Sequence, residues 1–124
     1  MGDLTKNFNT SEFSCKCGSC GSSENEMDLD FLSSLQYARD VAGRRFNITS
    51  GFRCANHPES VKRPTSSHII GLAADIATPD STYRHAVVRA LIRAGFSRIG
   101  IGKSFVHVDN DPSKPPNVMW DYYE

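Results

Sequence analysis

The stretch "SSHIIGLAADIA" (residues 66–77) decides how the chain is read. Its Ile, Leu, Ala and Gly content is that of a buried segment, yet His68 and Asp75 stand in it, seven positions apart. Burying an ionisable side chain costs several kcal/mol unless it is paired or bound to a metal. Two such residues in one apolar segment ask for a shared partner, and that partner has to come from elsewhere in the chain.

Working outward, the spacing predicts a strand over Ala73–Ala77, closed by the turn "TPD" (78–80). Upstream, Asp28 is placed to cap a helix "LDFLSSLQYARDVA" that ends at Gly43, with Leu29, Leu32, Leu35, Ala38 and Ala42 facing inward. "RFNITSGF" (45–52) alternates and is β-branched, as a strand feeding a turn at Gly51 would be, and 53–65 read as a polar loop with two prolines. Downstream, Asp80 or Ser81 caps a second helix ending at Gly95. Its inward stripe is Tyr83, Ala86, Val87, Ala90, Leu91 and Ala94. "SRIGIG" and "SFVHVD" then form two strands of a hairpin turning around Gly102 and Lys103. Residues 1–26 read as an extended, Cys-containing lead-in and 111–124 as an irregular, Pro-rich tail anchored by Trp120. Helices mixed with short, closely spaced strands imply an α+β fold: a small, mainly antiparallel sheet with two principal helices packed on it.

A chain of 124 residues, 39% hydrophobic and 23% charged, fits one domain over 1–124. A formal net charge of +0 leaves no basic face for nucleic acid. The arginines from Arg84 to Arg98 read as one solvated helix face. No apolar run approaches the roughly 20 residues that cross a bilayer, so no membrane partner is expected. "MGDLTKNFNTSEF" has neither the charged nor the apolar region of a signal peptide, which implies synthesis in a cytoplasm. A monomer is expected.

The four cysteines, Cys15, Cys17, Cys20 and Cys54, leave three readings open: free thiols with one packed in the core, a disulfide, or a second metal.

The histidines are His57, His68, His85 and His107. His57 falls in the polar loop and His85 on a helix among arginines, where both read as solvated. His107 lies in "SFVHVD", and strand alternation puts Phe105, His107 and Asp109 on one face, Val106 and Val108 on the other. His68, Asp75 and His107 together supply two imidazoles and one carboxylate. Three protein ligands with one open position is the arrangement of catalytic zinc, whereas structural zinc takes four, mostly cysteine.

"SGFR" (50–53), "SSHIIGLAADI" (66–76) and "FVHVD" (105–109) stand in that order. Together they resemble the zinc D-Ala-D-Ala carboxypeptidase/endopeptidase family, the peptidase M15 family, with its S-G-Y-R, S-x-H-x-x-G-x-A-x-D and H-x-[DH] elements. "FNTSEFSCKCG" (8–18) is similar to the opening of its compact phage-type branch. The likeness covers roughly residues 8–120. It implies a Hedgehog/DD-peptidase-like fold and one catalytic Zn2+ ion held by His68, Asp75 and His107. It implies that Arg53 binds a substrate carbonyl or carboxylate, as a guanidinium's planar paired donors suit, and that Ser66 contacts substrate or a neighbouring ligand. Gly71, lacking a Cβ, lets the chain bend between two ligands.

The implied activity is zinc-dependent cleavage of peptidoglycan stem peptides, by a carboxypeptidase or endopeptidase acting as a phage lysin or other cell-wall-degrading enzyme. Such an enzyme would reach the wall after holin-type release or as part of a virion. The same fold also serves zinc-stabilised binding modules without peptidase activity. The sequence departs from the family at one point. Many members carry Glu or Asp three residues before the last zinc histidine, where this chain has Ser104. Asp109 is the substitute base, or else the group that accepts the outer N–H of a ligand histidine. Asp111 and His57 are further candidates.

Overall fold

The computed structural model describes residues 7–8, 10–13, 27–52, 67–68 and 71–122. Among them the elements run α1 (Thr10–Phe13), α2 (Leu29–Ala42), β1 (Ile48–Ser50), β2 (Ala73–Ala77), α3 (Ser81–Arg93), β3 (Arg98–Ile101), β4 (Phe105–Asp109) and β5 (Val118–Asp121). This is an α+β fold with one five-stranded mixed sheet, ordered β1-β2-β4-β3-β5. All neighbours pair antiparallel except β3 and β5, which are parallel.

The helix ends follow from local chemistry. The Asp28 carboxylate accepts from the Phe31 N–H, and Gly43 closes α2 in the left-handed conformation at φ 63°. Asp80 caps α3 in the same way through the Tyr83 N–H. The inward face of α2 differs from the expected one by its first residue. Leu29 is 65% exposed, and Phe31 fills the core in its place, edge-on to Phe96 at 5.5 Å. In α3, Val87, Ala90 and Leu91 are buried, while Tyr83, Ala86 and the capping Ala94 just past its end are half-buried.

The sheet presents two different faces, because side chains alternate along each strand. Ala74 and Ile76 of β2, Val106 and Val108 of β4 and Ile99 of β3 join the helix-side core with Leu32, Leu35, Val87 and Leu91. On the other face, register carries one row straight across the sheet: Ser50, Asp75, His107, Gly100 and Trp120. The next row on that face holds Ala73, Asp109, Arg98 and Val118.

Two expectations are corrected. The lead-in is not wholly extended, since Thr10–Phe13 form a helical turn whose Phe13 packs edge-on to Phe8 at 5.6 Å. The tail is not irregular throughout, since Val118–Asp121 form a strand. Its backbone joins β3 from Val118 N–H to Ser97 O at 2.9 Å and from Tyr122 N–H to Ile101 O at 3.0 Å. Parallel pairing needs a long connection, which hides such a strand from hairpin reasoning.

Candidate metal centre

The register Asp75↔His107 puts the second and third expected ligands side by side on adjacent strands. His68 arrives from a turn. Gly71, at φ 73°, reverses the chain as only glycine does without strain, and the Leu72 N–H bonds back to Ser67 O at 3.2 Å. The turn is pinned from two sides. Its Gly71 carbonyl accepts from the Asp28 N–H at 3.0 Å, at the start of α2. The Ser67 hydroxyl donates to Asp111 Oδ2 at 2.8 Å and accepts from Lys114 Nζ at 2.9 Å.

Three atoms then converge. His68 Nε2 lies 3.2 Å from His107 Nδ1 and 3.3 Å from Asp75 Oδ1, which is 3.0 Å from His107 Nδ1. With both imidazoles neutral, each of these atoms carries a lone pair. A carbonyl can only accept, so the 2.7 Å contact from His68 Nδ1 to Gly51 O places the proton on Nδ1 and leaves Nε2 bare. In its neutral form His107 donates from Nε2 to Asp109 Oδ2 at 2.8 Å, which leaves Nδ1 free to coordinate. Gly51 itself has no room for a side chain, since a Cβ there would come within 2.6 Å of the Phe13 Cα. That close approach fixes the carbonyl that orients His68.

Three such atoms turned inward in a buried site can hold a cation, in place of the proton that His107 otherwise shares with Asp75. With metal–ligand bonds of about 2.0–2.2 Å, tetrahedral edges are roughly 3.3–3.6 Å, close to the separations here. Nitrogen and oxygen donors of this kind suit zinc. His68, Asp75 and His107 therefore fit a metal ion, as a group whose ligand atoms lie within 4.8 Å of one another.

In the metal-free chain the same groups share charge and protons. Burial alone would push the Asp75 carboxyl up, but hydrogen bonds and charge from His107 and His68 hold it well below the carboxylate range. Burial alone would push His107 down, but Asp109 and Asp75 raise it. Asp109 is lowered, because His107, Arg98 and the Asp111 N–H outweigh its burial.

Comparison with protein families decides what kind of chain carries this site. A family model described as peptidase M15 matches residues 6–109. The chain belongs to the peptidase M15 family. A comparison with curated proteins found no match.

In this M15 member the geometry favours one of the two roles expected of Asp109, orienting a ligand histidine over acting as the base. Asp109 lies behind His107, on the Nε2 side, while the three ligand atoms gather on the Nδ1 side. Both of its oxygens are engaged, Oδ2 by His107 and Oδ1 by Arg98 Nε at 2.7 Å and the Asp111 N–H at 3.2 Å. Asp109 thus orients a ligand and is not placed as a base on the ligand side. Asp111 is committed as well: Oδ1 accepts from the Ser113 N–H at 2.9 Å and Oγ at 2.6 Å, while Oδ2 takes Ser67. Ser104 is exposed in the turn before β4, and His85 is exposed on α3, as expected.

Arg53, Ser66, His57 and all four cysteines lie outside the described residues. Sequence reasoning missed Arg98 by grouping it with a helix face. The hairpin register around Gly102 and Lys103 was the available signal, since it sets Arg98 opposite Asp109. It also missed that Trp120, read only as an anchor, lies 5.6 Å from the His107 ring.

Proposed function

We propose that this M15 family member is a zinc peptidase that cleaves the stem peptides of peptidoglycan, as a carboxypeptidase or endopeptidase. The observation that carries the zinc reading is the convergence of three oriented lone pairs from His68, Asp75 and His107. His68, Asp75 and His107 would hold the ion, which would supply Lewis acidity to polarise a carbonyl and acidify water. The chain's own residues supply the rest. Gly51 O and Asp109 hold the two imidazoles in the tautomers that face inward. Arg53 pairs with a carboxylate or developing oxyanion of the peptide, and Ser66 contacts the same substrate. With Asp109 and Asp111 engaged elsewhere, the proton acceptor is a different group. A phage lysin released through holin pores, or a virion-associated wall enzyme, is the setting in which such an activity would act on peptidoglycan.

The test is release of peptide fragments from purified peptidoglycan. Chelation of zinc and the substitution His68→Ala should each abolish it, with zinc addition restoring the chelated protein but not the variant. Fragment release that survives both treatments rules the reading out.

A second reading, a zinc-stabilised wall-binding or protein-binding module without turnover, is favoured by one observation. The position where the family keeps its acid is the exposed Ser104, and Asp109 faces away from the ligand atoms. Full zinc occupancy and wall binding without fragment release would select it.

A further inference from the structure

We propose that Arg98 is a positioning residue for the metal centre, fixing the ring and tautomer of His107 through Asp109. The inference rests on the zinc reading of the His68, Asp75 and His107 group.

Arg98 and Asp109 are direct cross-strand partners, one row away from the row that carries Asp75 and His107. Opposite charges in that relation already favour the pairing. Here the pair is taken out of water, with side chains only 12% and 2% exposed. The guanidinium has two further holds. Nη1 donates to Pro115 O at 2.5 Å, and the group lies 5.1 Å from the centre of the Trp120 ring. Trp120 in turn lies 5.6 Å from the His107 ring.

The four side chains therefore close a circuit. Arg98 grips Asp109, Asp109 grips the Nε2 edge of His107, Trp120 packs beside the same imidazole, and the Arg98 guanidinium lies over the Trp120 ring. The terminal torsion of a carboxylate is soft, so one hydrogen bond from His107 does not fix where Asp109 points. The Arg98 bond, with the Asp111 N–H on the same oxygen, does fix it. A lysine ammonium keeps the charge but cannot direct one donor to Asp109 Oδ1 and a second to Pro115 O from a rigid planar group. The two directed hydrogen bonds favour arginine over lysine at position 98.

Zinc affinity, measured by chelator competition, tests this in wild type, Arg98→Gln, Arg98→Lys, Asp109→Asn and the double variant Arg98→Gln/Asp109→Asn. Partners of metal-ligating histidines are worth about 10–100-fold in metal affinity, which is the loss expected for Asp109→Asn. Arg98→Gln should lose about tenfold, Arg98→Lys less, and the double variant no more than Asp109→Asn alone. The visible spectrum of the Co2+-loaded protein should change in Arg98→Gln. The fluorescence of Trp120, the only tryptophan in the chain, should respond less to zinc than in wild type.

Wild-type affinity and an unchanged Co2+ spectrum in Arg98→Gln would overturn the inference. So would losses that add in the double variant, since they would place Arg98 outside the Asp109 route. If Arg98→Gln does not fold, Arg98→Lys decides: weaker zinc binding at unchanged metal-free stability supports the role, and unchanged binding overturns it. A wild-type chain that takes up no zinc overturns this inference and the zinc reading together.

Discussion

The two faces of the sheet use the same strands for opposite purposes. On the helix side, Ala74, Ile76, Val106, Val108 and Ile99 need only be apolar and of fitting size, and their neighbours are equally undemanding. On the other side, Asp75, His107, Asp109 and Arg98 each depend on a named atom of another residue. Apolar packing is spread over many weak contacts, so a single loss is graded. A buried polar network concentrates its interactions, and removing one member leaves a partner buried and unsatisfied. The first face should govern stability and the second metal binding, although Asp75 and Ile76 are adjacent residues.

That separation is testable at this junction. Ile76→Ala, on the core face of β2, should cost about 2–5 kcal/mol in denaturant unfolding, since it empties a fully buried site. The zinc stoichiometry of the folded fraction should not change. A variant that keeps its stability but loses zinc would break the comparison.

Next in size is the response of the zinc-free chain to pH. Burial lowers the pKa of His107, but Asp109 and Asp75 outweigh it and raise it above the ordinary 6.5. A raised folded pKa gives stability that is complete below the ordinary value and is lost as pH rises through the raised one. The zinc-free protein should therefore melt lower at about pH 9 than at about pH 6. Zinc affinity should rise over the same interval, because the proton on His107 no longer competes with the metal. Asp75 has the opposite sign: its lowered pKa gives stability that is lost as pH falls below the ordinary 3.8. Thermal melts in chelator across this range check both limbs. A zinc-free melting temperature that climbs from about pH 6 to about pH 9 would show that His107 is not held as an imidazolium between its two carboxylates.

The face with the polar network also extends into a loop. Asp111, almost fully buried, is lowered to about 2 because Ser113, Ser67 and Lys114 outweigh its burial. Asp111→Asn should cost about 1–2 kcal/mol at neutral pH, and the difference from wild type should vanish as acid protonates the wild-type carboxyl. Acid titration of the two proteins side by side measures it. Because Ser67 precedes His68, zinc affinity should weaken as well, which would distinguish this loss from that of Ile76→Ala.

How much of this was legible in the sequence follows the same division. Both long helices announced themselves through Asp28, Gly43 and Asp80, because caps and periodicity are local signals. The hairpin of β3 and β4 was equally local, but grouping Arg98 with a helix face passed over the register that sets it opposite Asp109. The three converging ligands were legible only because His68, Asp75 and His107 interrupt apolar runs, which is costly without a partner. What stayed hidden depends on contacts distant in sequence. The strand at Val118–Asp121 pairs parallel with β3 and so lacks a turn signal. The turn of Asp109 away from the ligand side depends on Arg98 and on the Asp111 N–H, neither of which strand alternation reports. Leu29 has helical spacing but lies in the first turn of α2, where the buried stripe has already passed to Phe31 and Leu32.

The smallest effect is expected where the two regions touch. Asp28 serves both through different atoms: its carboxylate caps α2 at the Phe31 N–H, while its own N–H holds the Gly71 carbonyl in the turn between His68 and Asp75. Alanine removes the first contact and keeps the second. Asp28→Ala should therefore cost about 1 kcal/mol of stability, the ordinary value of an N-cap, and leave zinc affinity unchanged. Urea melts and chelator competition on the same protein give the two numbers. Proline at this position would instead remove the N–H that holds Gly71, and zinc affinity should then fall along with stability. Should alanine alone weaken zinc binding, the helix end and the metal centre are one cooperative unit, and the division between the two faces fails at Asp28.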